Sequence, residues 1–333
     1  MKAAIKRLIP APILLATAPS RERVRLRMRK ARLRMRKARV RLYPLIPPRT
    51  LNSKIRYRML YDRNPLLTTF CDKWAVREYV ANRVGSELLT AVYAIVSDPS
   101  ELDVDALPNR CVIKPTHGSG AVIIVDERAD PDSRIPSPVS GLEWTAVKVR
   151  VTREQLHAAS FRVLTRSWLS ATYAKGTEPG YLNVPPRLIV EELLEDARGA
   201  VPPDIRFFCV NGSVRFITHD LGWAPHVRRA VLSPRWELLG AQIHYPKPKD
   251  CPRRPDMLDK AIVVAERLAE EIDFIRVDLY VQHRRVVFGE LTPYHAGGNQ
   301  RMTPLSFFVR VASDWRPHRE TGPYRLGMRV VQR

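Results

Sequence analysis

Cysteine is scarce and scattered in this 333-residue sequence: Cys71, Cys111, Cys209 and Cys251, with no Cys-x-x-Cys spacing and no Cys/His pairing. That pattern excludes a disulfide framework and the usual zinc modules, and it suits free thiols in a reducing cytoplasm. Cys111 and Cys209 sit in apolar runs and read as buried. No apolar run approaches the roughly 20 residues that a bilayer demands. The stretch from Leu8 to Ala18 is short, holds Pro10 and Pro12, and runs into dense arginine, a poorly formed secretory signal. A Ser/His/Asp or Cys/His motif for a covalent nucleophile is also missing. Acids are nearly absent from residues 1–58, where 19 Lys/Arg face one acid, Glu22; the rest of the chain carries 37 Lys/Arg and 33 Asp/Glu. The formal charge of +22 therefore belongs to an N-terminal extension, and the body is close to neutral.

What the extension does contain is a perfect seven-residue duplication, Arg-Leu-Arg-Met-Arg-Lys-Ala at 25–31 and again at 32–38. Three readings are open: a disordered or irregularly helical low-complexity arm, a helix lying on anionic lipid, or a nucleic-acid-binding arm. No aromatic residue interleaves the arginines from 21 to 42, which counts against base stacking. Pro44, Pro47 and Pro48 then separate the extension from the body.

In the body, helical spacing runs from Asp72, a candidate N-cap, to Gly85, with Trp74, Val76, Tyr79, Val80 and Val84 on the apolar side. A second helix, over 152–171, turns Leu156, Phe161, Leu164 and Trp168 to the core. A third, over 255–272, buries Ile262, Val263, Ala265, Leu268 and Ala269. Strands are expected at 88–96 and 186–192, a hairpin turned at Asn211-Gly212 over 204–217, and a surface loop over 128–145.

Two hairpins carry the chemistry. In the first, Val112-Ile-Lys-Pro-Thr-His-Gly-Ser-Gly is followed by Ala121 to Val125, a β-branched run. Gly118, Ser119 and Gly120 can bring backbone N–H groups to a phosphate beside Lys114. A Walker loop would continue into a helix, so this is a phosphate-covering hairpin instead. In the second, strands 274–281 and 286–292 flank a short turn. A three-residue connection, His283 to Arg285, would pair Asp278 with Glu290 and Arg276 with Thr292 on one face; a two-residue one would put the carboxylates on opposite faces. Opposed carboxylates of this kind can hold Mg²⁺ or act as an acid–base pair.

These pieces in this order resemble the ATP-grasp superfamily and, more narrowly, its TupA-like branch, named for teichuronopeptide biosynthesis. The matching segments are Asp72-Lys-Trp-Ala-Val-Arg, the Lys114 hairpin, Pro186-Arg-Leu-Ile-Val-Glu-Glu, Pro203-Asp-Ile-Arg-Phe-Phe, and Arg276-Val-Asp-Leu-Tyr with Phe288-Gly-Glu-Leu-Thr, spanning about 60 to 320. The resemblance implies an α+β fold in which two lobes with antiparallel sheets grip ATP. The ATP-grasp domain would run over 59–325, with a phosphate-loop lobe at about 88–185 and a metal-binding lobe at about 186–310. It implies ATP contacts from Arg77, Lys114, His117, Gly118, Ser119, Gly120 and Arg206, with an adenine hinge at Glu191, Glu192 and Leu194. Glu195 or Asp196 would meet the ribose. Asp278 and Glu290 would hold Mg²⁺, with Thr292 where an asparagine is usual. Arg276 would act with Lys114 in catalysis, and His295, Gly297, Gly298 and Asn299 would form a substrate loop. The implied reaction is ATP-dependent ligation of a carboxylate to an amine through an acyl-phosphate, building a polysaccharide or peptide polymer of the cell envelope. The implied setting is the cytoplasm, at the inner membrane face if residues 21–42 meet lipid. A phosphotransferase acting on a hydroxyl is the alternative, and nucleic-acid binding a weaker one.

Overall fold

The computed structural model describes residues 48–138, 143–173, 177–196, 199–222, 226–281 and 285–317. The repeat at 25–38 and most of the 283–285 turn lie outside them. Contacts divide the chain at Pro48/Arg49. The basic composition grouped residues 49–58 with the extension, but they belong to the body. Helix α1 (Leu51–Tyr61) opens with a Thr50/Ser53 capping box and buries Leu51, Ile55 and Arg58. Arg58 forms ion pairs with Asp62 and Asp273.

Helices α2 (Leu66–Cys71) and α3 (Val76–Val84) follow. Asp72 ends α2 instead of capping α3; its carboxylate accepts from the Trp74 amide at 2.9 Å and from Arg187 at 3.1 Å. Trp74, expected inside, is 37% exposed. The first sheet is built from β1 (Val92–Val96), β2 (Arg110–Pro115), β3 (Ala121–Asp126), β4 (Val147–Val151) and, beyond α4 (Ala159–Ser170), β5 (Leu188–Glu192). Their order is β1-β5-β2-β3-β4, antiparallel except for the parallel β3–β4 pair. β5 thus inserts between β1 and β2, so this sheet runs past the expected lobe division at 185/186. Leu156, Phe161, Leu164 and Trp168 seal this sheet as their spacing predicts.

The second sheet is fully antiparallel, ordered β11-β10-β6-β7-β8. Its strands are β6 (Asp204–Val210), β7 (Ser213–Leu221), β8 (Arg228–Leu232), β10 (Phe274–Val281) and β11 (Val286–Thr292); β9 (Gln242–Ile243) lies between them in the chain and pairs with β12 (Met302–Thr303). Asn211 and Gly212 turn the β6–β7 hairpin with positive φ of 49° and 75°. Helix α5 (Leu258–Leu268) packs Leu258, Ala261, Ala265 and Leu268 on this sheet, while Val263, expected to be buried, is 52% exposed. Helix α6 (Leu305–Val311) closes the described chain. Among the described residues no helix is long and apolar enough to cross a membrane.

The register of β10 and β11 is the feature that positions the site. Asp278 faces Glu290 and Arg276 faces Thr292, yet the last pair, Val281 with Val286, leaves four residues in the connection. The odd-length turn is not the device. Leu279 pairs with Phe288, so Gly289 is an extra residue, a bulge that restores the parity an even connection would have lost. A Cβ on Gly289 would lie 2.9 Å from the Asp278 carbonyl oxygen. Gly289→Ala is therefore expected to lower unfolding stability by about 1–3 kcal/mol, read as a lower urea midpoint; an unchanged midpoint would contradict the bulge as the tight point.

Candidate active site

Strand alternation sets the first cavity. On β2, Cys111, Ile113 and Pro115 point into the lobe, so Val112 and Lys114 face outward. Glu191 stands opposite Val112 on β5. Its carboxylate pairs with Lys114, with Arg77 at 3.0 Å, and accepts from Thr90 Oγ1 at 3.1 Å. Burial pushes this carboxyl up, but Lys114 and Arg77 outweigh it and hold the acid below its ordinary value. Together with Lys73 these groups line a cavity of about 220 Å³, whose other walls include Val122, Ile124, Leu194, Tyr280 and Phe288. Its lining thus combines cationic with apolar side chains.

Glu191 is thus the partner of two cations and not a free hinge residue. Glu192 and Leu194 do line the cavity; Glu192 accepts from the Ala91 amide at 3.2 Å. Glu195 is taken up by Arg110 and Arg128, and Asp196 by the Ala200 amide at 3.0 Å. Lys73, four residues before the Arg77 that the resemblance placed at the phosphates, is half-buried and bonds the Gly118 carbonyl. Burial lowers its pKa, partly opposed by Glu290. Its signal in the sequence was only its place beside Asp72.

The glycine loop is held by Trp144, whose indole N–H donates to the Ser119 carbonyl at 2.9 Å. A Cβ on Gly118 would clash with the Trp144 ring, so this glycine makes room for an aromatic side chain. Gly120 has φ +76° where β3 begins. His117 turns inward: Nε2 lies 3.0 Å from the Trp168 carbonyl oxygen, and burial keeps the ring neutral. It lines neither cavity. Only Ser119 of the loop reaches the second one.

That second cavity encloses about 380 Å³ and is lined by Ser119, Glu178, Arg206, Arg276, Glu290 and His295 among others. Arg276 binds both oxygens of Asp278, at 2.7 and 2.6 Å. Burial pushes the Asp278 carboxyl up to about 7 despite Arg276. Arg206 is fixed by Asp204 and Asp220, each at 2.9 Å, and Arg229 grips Asp220 at 2.5 and 2.7 Å. His295 accepts from Arg276 through Nδ1 at 2.7 Å, while its buried Nε2 has no partner among the described residues. Burial and the neighbouring guanidiniums hold this ring neutral. Gly297, Gly298 and Asn299 stay out of both cavities: Gly298 packs against Asn52 and Arg56, and Asn299 is exposed and bonds the Gly297 carbonyl at 3.0 Å.

Glu290 lines both cavities, and Thr292 donates to it at 3.0 Å. Of the expected metal-binding trio Asp278, Glu290 and Thr292, Asp278 is held through both oxygens by Arg276, and among the described residues no group of three His, Cys, Asp or Glu is arranged for an ion. A lone carboxylate where the cavities meet still fits Mg²⁺, which is ordinarily held by one or two carboxylates together with substrate phosphates.

Glu178, in the loop before Pro179-Gly180, went unnoticed because it has no periodic neighbours. Burial first, and then the charge of Glu290, push its carboxyl up to about 7. The folded state therefore holds more protons here than the unfolded chain between pH 4.5 and about 7. This contribution to stability is full below that window and lost as pH rises through it. Relative to Glu178→Gln, the wild-type protein should lose up to about 3 kcal/mol of stability from acid to mildly alkaline pH, measured by urea unfolding. Parallel pH profiles would contradict the assignment.

The TupA-like ATPgrasp family profile matches residues 53–309. Among curated proteins none matches. Solved structures that resemble the chain include an N5-carboxyaminoimidazole ribonucleotide synthetase from Thermus thermophilus, at 13% identity and TM-score 0.40, covering 86% of this chain and 61% of that one. A D-alanine–D-alanine ligase from Bacillus anthracis complexed with ATP gives 12% and 0.38, with coverage of 68% and 57%. The ATP-grasp ligase PsnB complexed with minimal precursor gives 10% and 0.37, with coverage of 69% and 54%. The chain thus spans less than two thirds of each of these structures. Since the family profile covers most of the sequence, the chain belongs to the TupA-like ATP-grasp family.

Proposed function

We propose that the protein is an ATP-dependent carboxylate–amine ligase working through an acyl-phosphate. The observation that carries this reading is Glu290, which lines a cavity of lysines, Arg77 and apolar side chains and also lines the cavity that holds Arg276. ATP would occupy the first cavity, with its base against Leu194 and Phe288 and its phosphates drawing Lys114 and Arg77 away from Glu191. Lys73 would add charge at that end. Glu290 would hold Mg²⁺ together with the phosphates, and the ion would screen their negative charge.

The carboxylate substrate would enter the second cavity beside Arg276. Its oxygen attacks the γ-phosphorus, the bond to the β–γ bridging oxygen breaks, and ADP leaves. A neutral amine nitrogen then attacks the acyl carbon, the acyl C–O bond breaks, phosphate departs with the oxygen that the carboxylate contributed, and the proton lost from nitrogen passes to solvent. Arg276, fixed by Asp278, is preorganised to stabilise charge on the transferred group, so little rearrangement is needed as that charge develops. His295 orients Arg276 from the other side. A hydroxyl phosphotransferase would use the same nucleotide cavity, but two glutamates in the second cavity favour a cationic acceptor. The carboxylate or amine would belong to a cell-envelope polysaccharide or peptide polymer, handled in the cytoplasm at the membrane's inner face.

The test is ATP turnover with Mg²⁺ across a panel of common amino acids and uronic acids, assaying ADP and amide together. Lys114→Ala and Glu290→Ala should each reduce turnover at least about 100-fold without unfolding the protein. Undiminished activity in both would overturn the assignment.

A further inference from the structure

The charges around the second cavity do not balance on its surface. Arg206, Arg229 and Arg276 line it, but each is matched by an aspartate: Asp204 and Asp220 for the first two, Asp278 for the third. His295 is held neutral beside them. Among the described residues, the two carboxylates of this lining that form no ion pair are Glu290 and Glu178. Glu290 also borders the nucleotide cavity, where Lys73 acts on it. For Glu178, no cation or hydrogen-bond donor among the described residues engages the side chain, and the charge acting on it is that of Glu290. A half-buried carboxylate facing a cavity without a partner is costly unless a ligand completes it.

The surroundings of Glu178 suit one kind of ligand. Tyr173, Tyr181 and Tyr294 line the same cavity, and the rings of Tyr173 and Tyr181 meet edge-on at 4.6 Å. A carboxylate among tyrosine rings attracts a compact cation by its charge, and the rings supply apolar walls that strengthen that attraction. An anionic group meets the guanidiniums on the Arg276 side of the lining, each already paired with an aspartate, and would be repelled by a charged Glu178.

We propose that Glu178, with Tyr173 and Tyr181, receives the ammonium group of an amino-acid substrate and so selects the amine partner of the ligation. The proposal rests on the ligase reading. Glu178 is a specificity-determining residue of the acceptor side, separate from the nucleotide cavity.

The experiment uses the full chain with ATP, Mg²⁺ and the uronic acids as carboxylates, and compares two nucleophiles. Hydroxylamine is uncharged near neutral pH and traps an acyl-phosphate as hydroxamate; the common amino acids present an ammonium. In Glu178→Gln the amide-to-hydroxamate ratio should fall by about 10–100-fold, with a raised KM for the amino acid, since a charge-assisted contact is lost. Glu178→Asp should recover part of the ratio. An unchanged ratio, or equal loss of both products, overturns the proposal, as does wild-type protein that forms hydroxamate but no amide from any amino acid. Wild-type protein that forms neither ADP nor hydroxamate overturns the ligase reading itself, and this inference with it.

Discussion

One extra residue in one strand decides how the site is built. Gly289 bulges out of β11, and from that point the pairing with β10 changes parity. Without it, the four-residue connection would send Glu290 to the face opposite Asp278, and Arg276 would lose its place across from Thr292. The bulge tolerates no side chain comfortably, since the Asp278 carbonyl is packed against it. Glycine is required there by close approach, and the cavity junction at Glu290 follows from that backbone constraint.

Around this frame the charged groups are arranged in compensated layers. Buried guanidiniums are expensive unless paired, and here the aspartates of β6, β7 and β10 pair with the arginines of β6, β8 and β10. The pairing fixes rigid, pre-oriented donors toward the cavity while leaving little net charge behind them. In the first cavity the same logic runs through Glu191, which neutralises Lys114 and Arg77. A polyanionic ligand would compete for those cations, so phosphate binding exchanges one set of ion pairs for another. Glu178 and Glu290 stand outside this compensation, and they face the space where the substrates would meet.

Much of this was legible in the sequence because strand alternation and helical spacing are local. The hairpins at 110–126 and 274–292, the Asn211-Gly212 turn and the Leu156/Phe161/Leu164/Trp168 stripe follow from period and turn chemistry alone. What failed was non-local. Spacing put Val263 and Trp74 on apolar faces but could not say whether anything covers them. β5 reads as a strand in any context, yet its insertion between β1 and β2 depends on partners about 80 to 100 residues away. His117 sits in the phosphate motif, but the carbonyl of Trp168, 51 residues on, takes its ring inward. The Asp204/Arg206 and Arg276/Asp278 pairs were readable, because positions i and i+2 share a strand face, and they were overlooked. Glu178 had no pattern to reveal it; only the closed cavity shows what it lacks.

In the proposed ligation a carboxylate oxygen passes to phosphate through an acyl-phosphate. Ligation with a substrate carboxylate labelled with oxygen-18 tests this directly, with the products separated and the label followed by mass spectrometry. One labelled oxygen per turnover should appear in inorganic phosphate, and the amide should retain the other. Phosphate free of label, or a phosphoryl group retained on a hydroxyl of the product, would contradict the ligase reading.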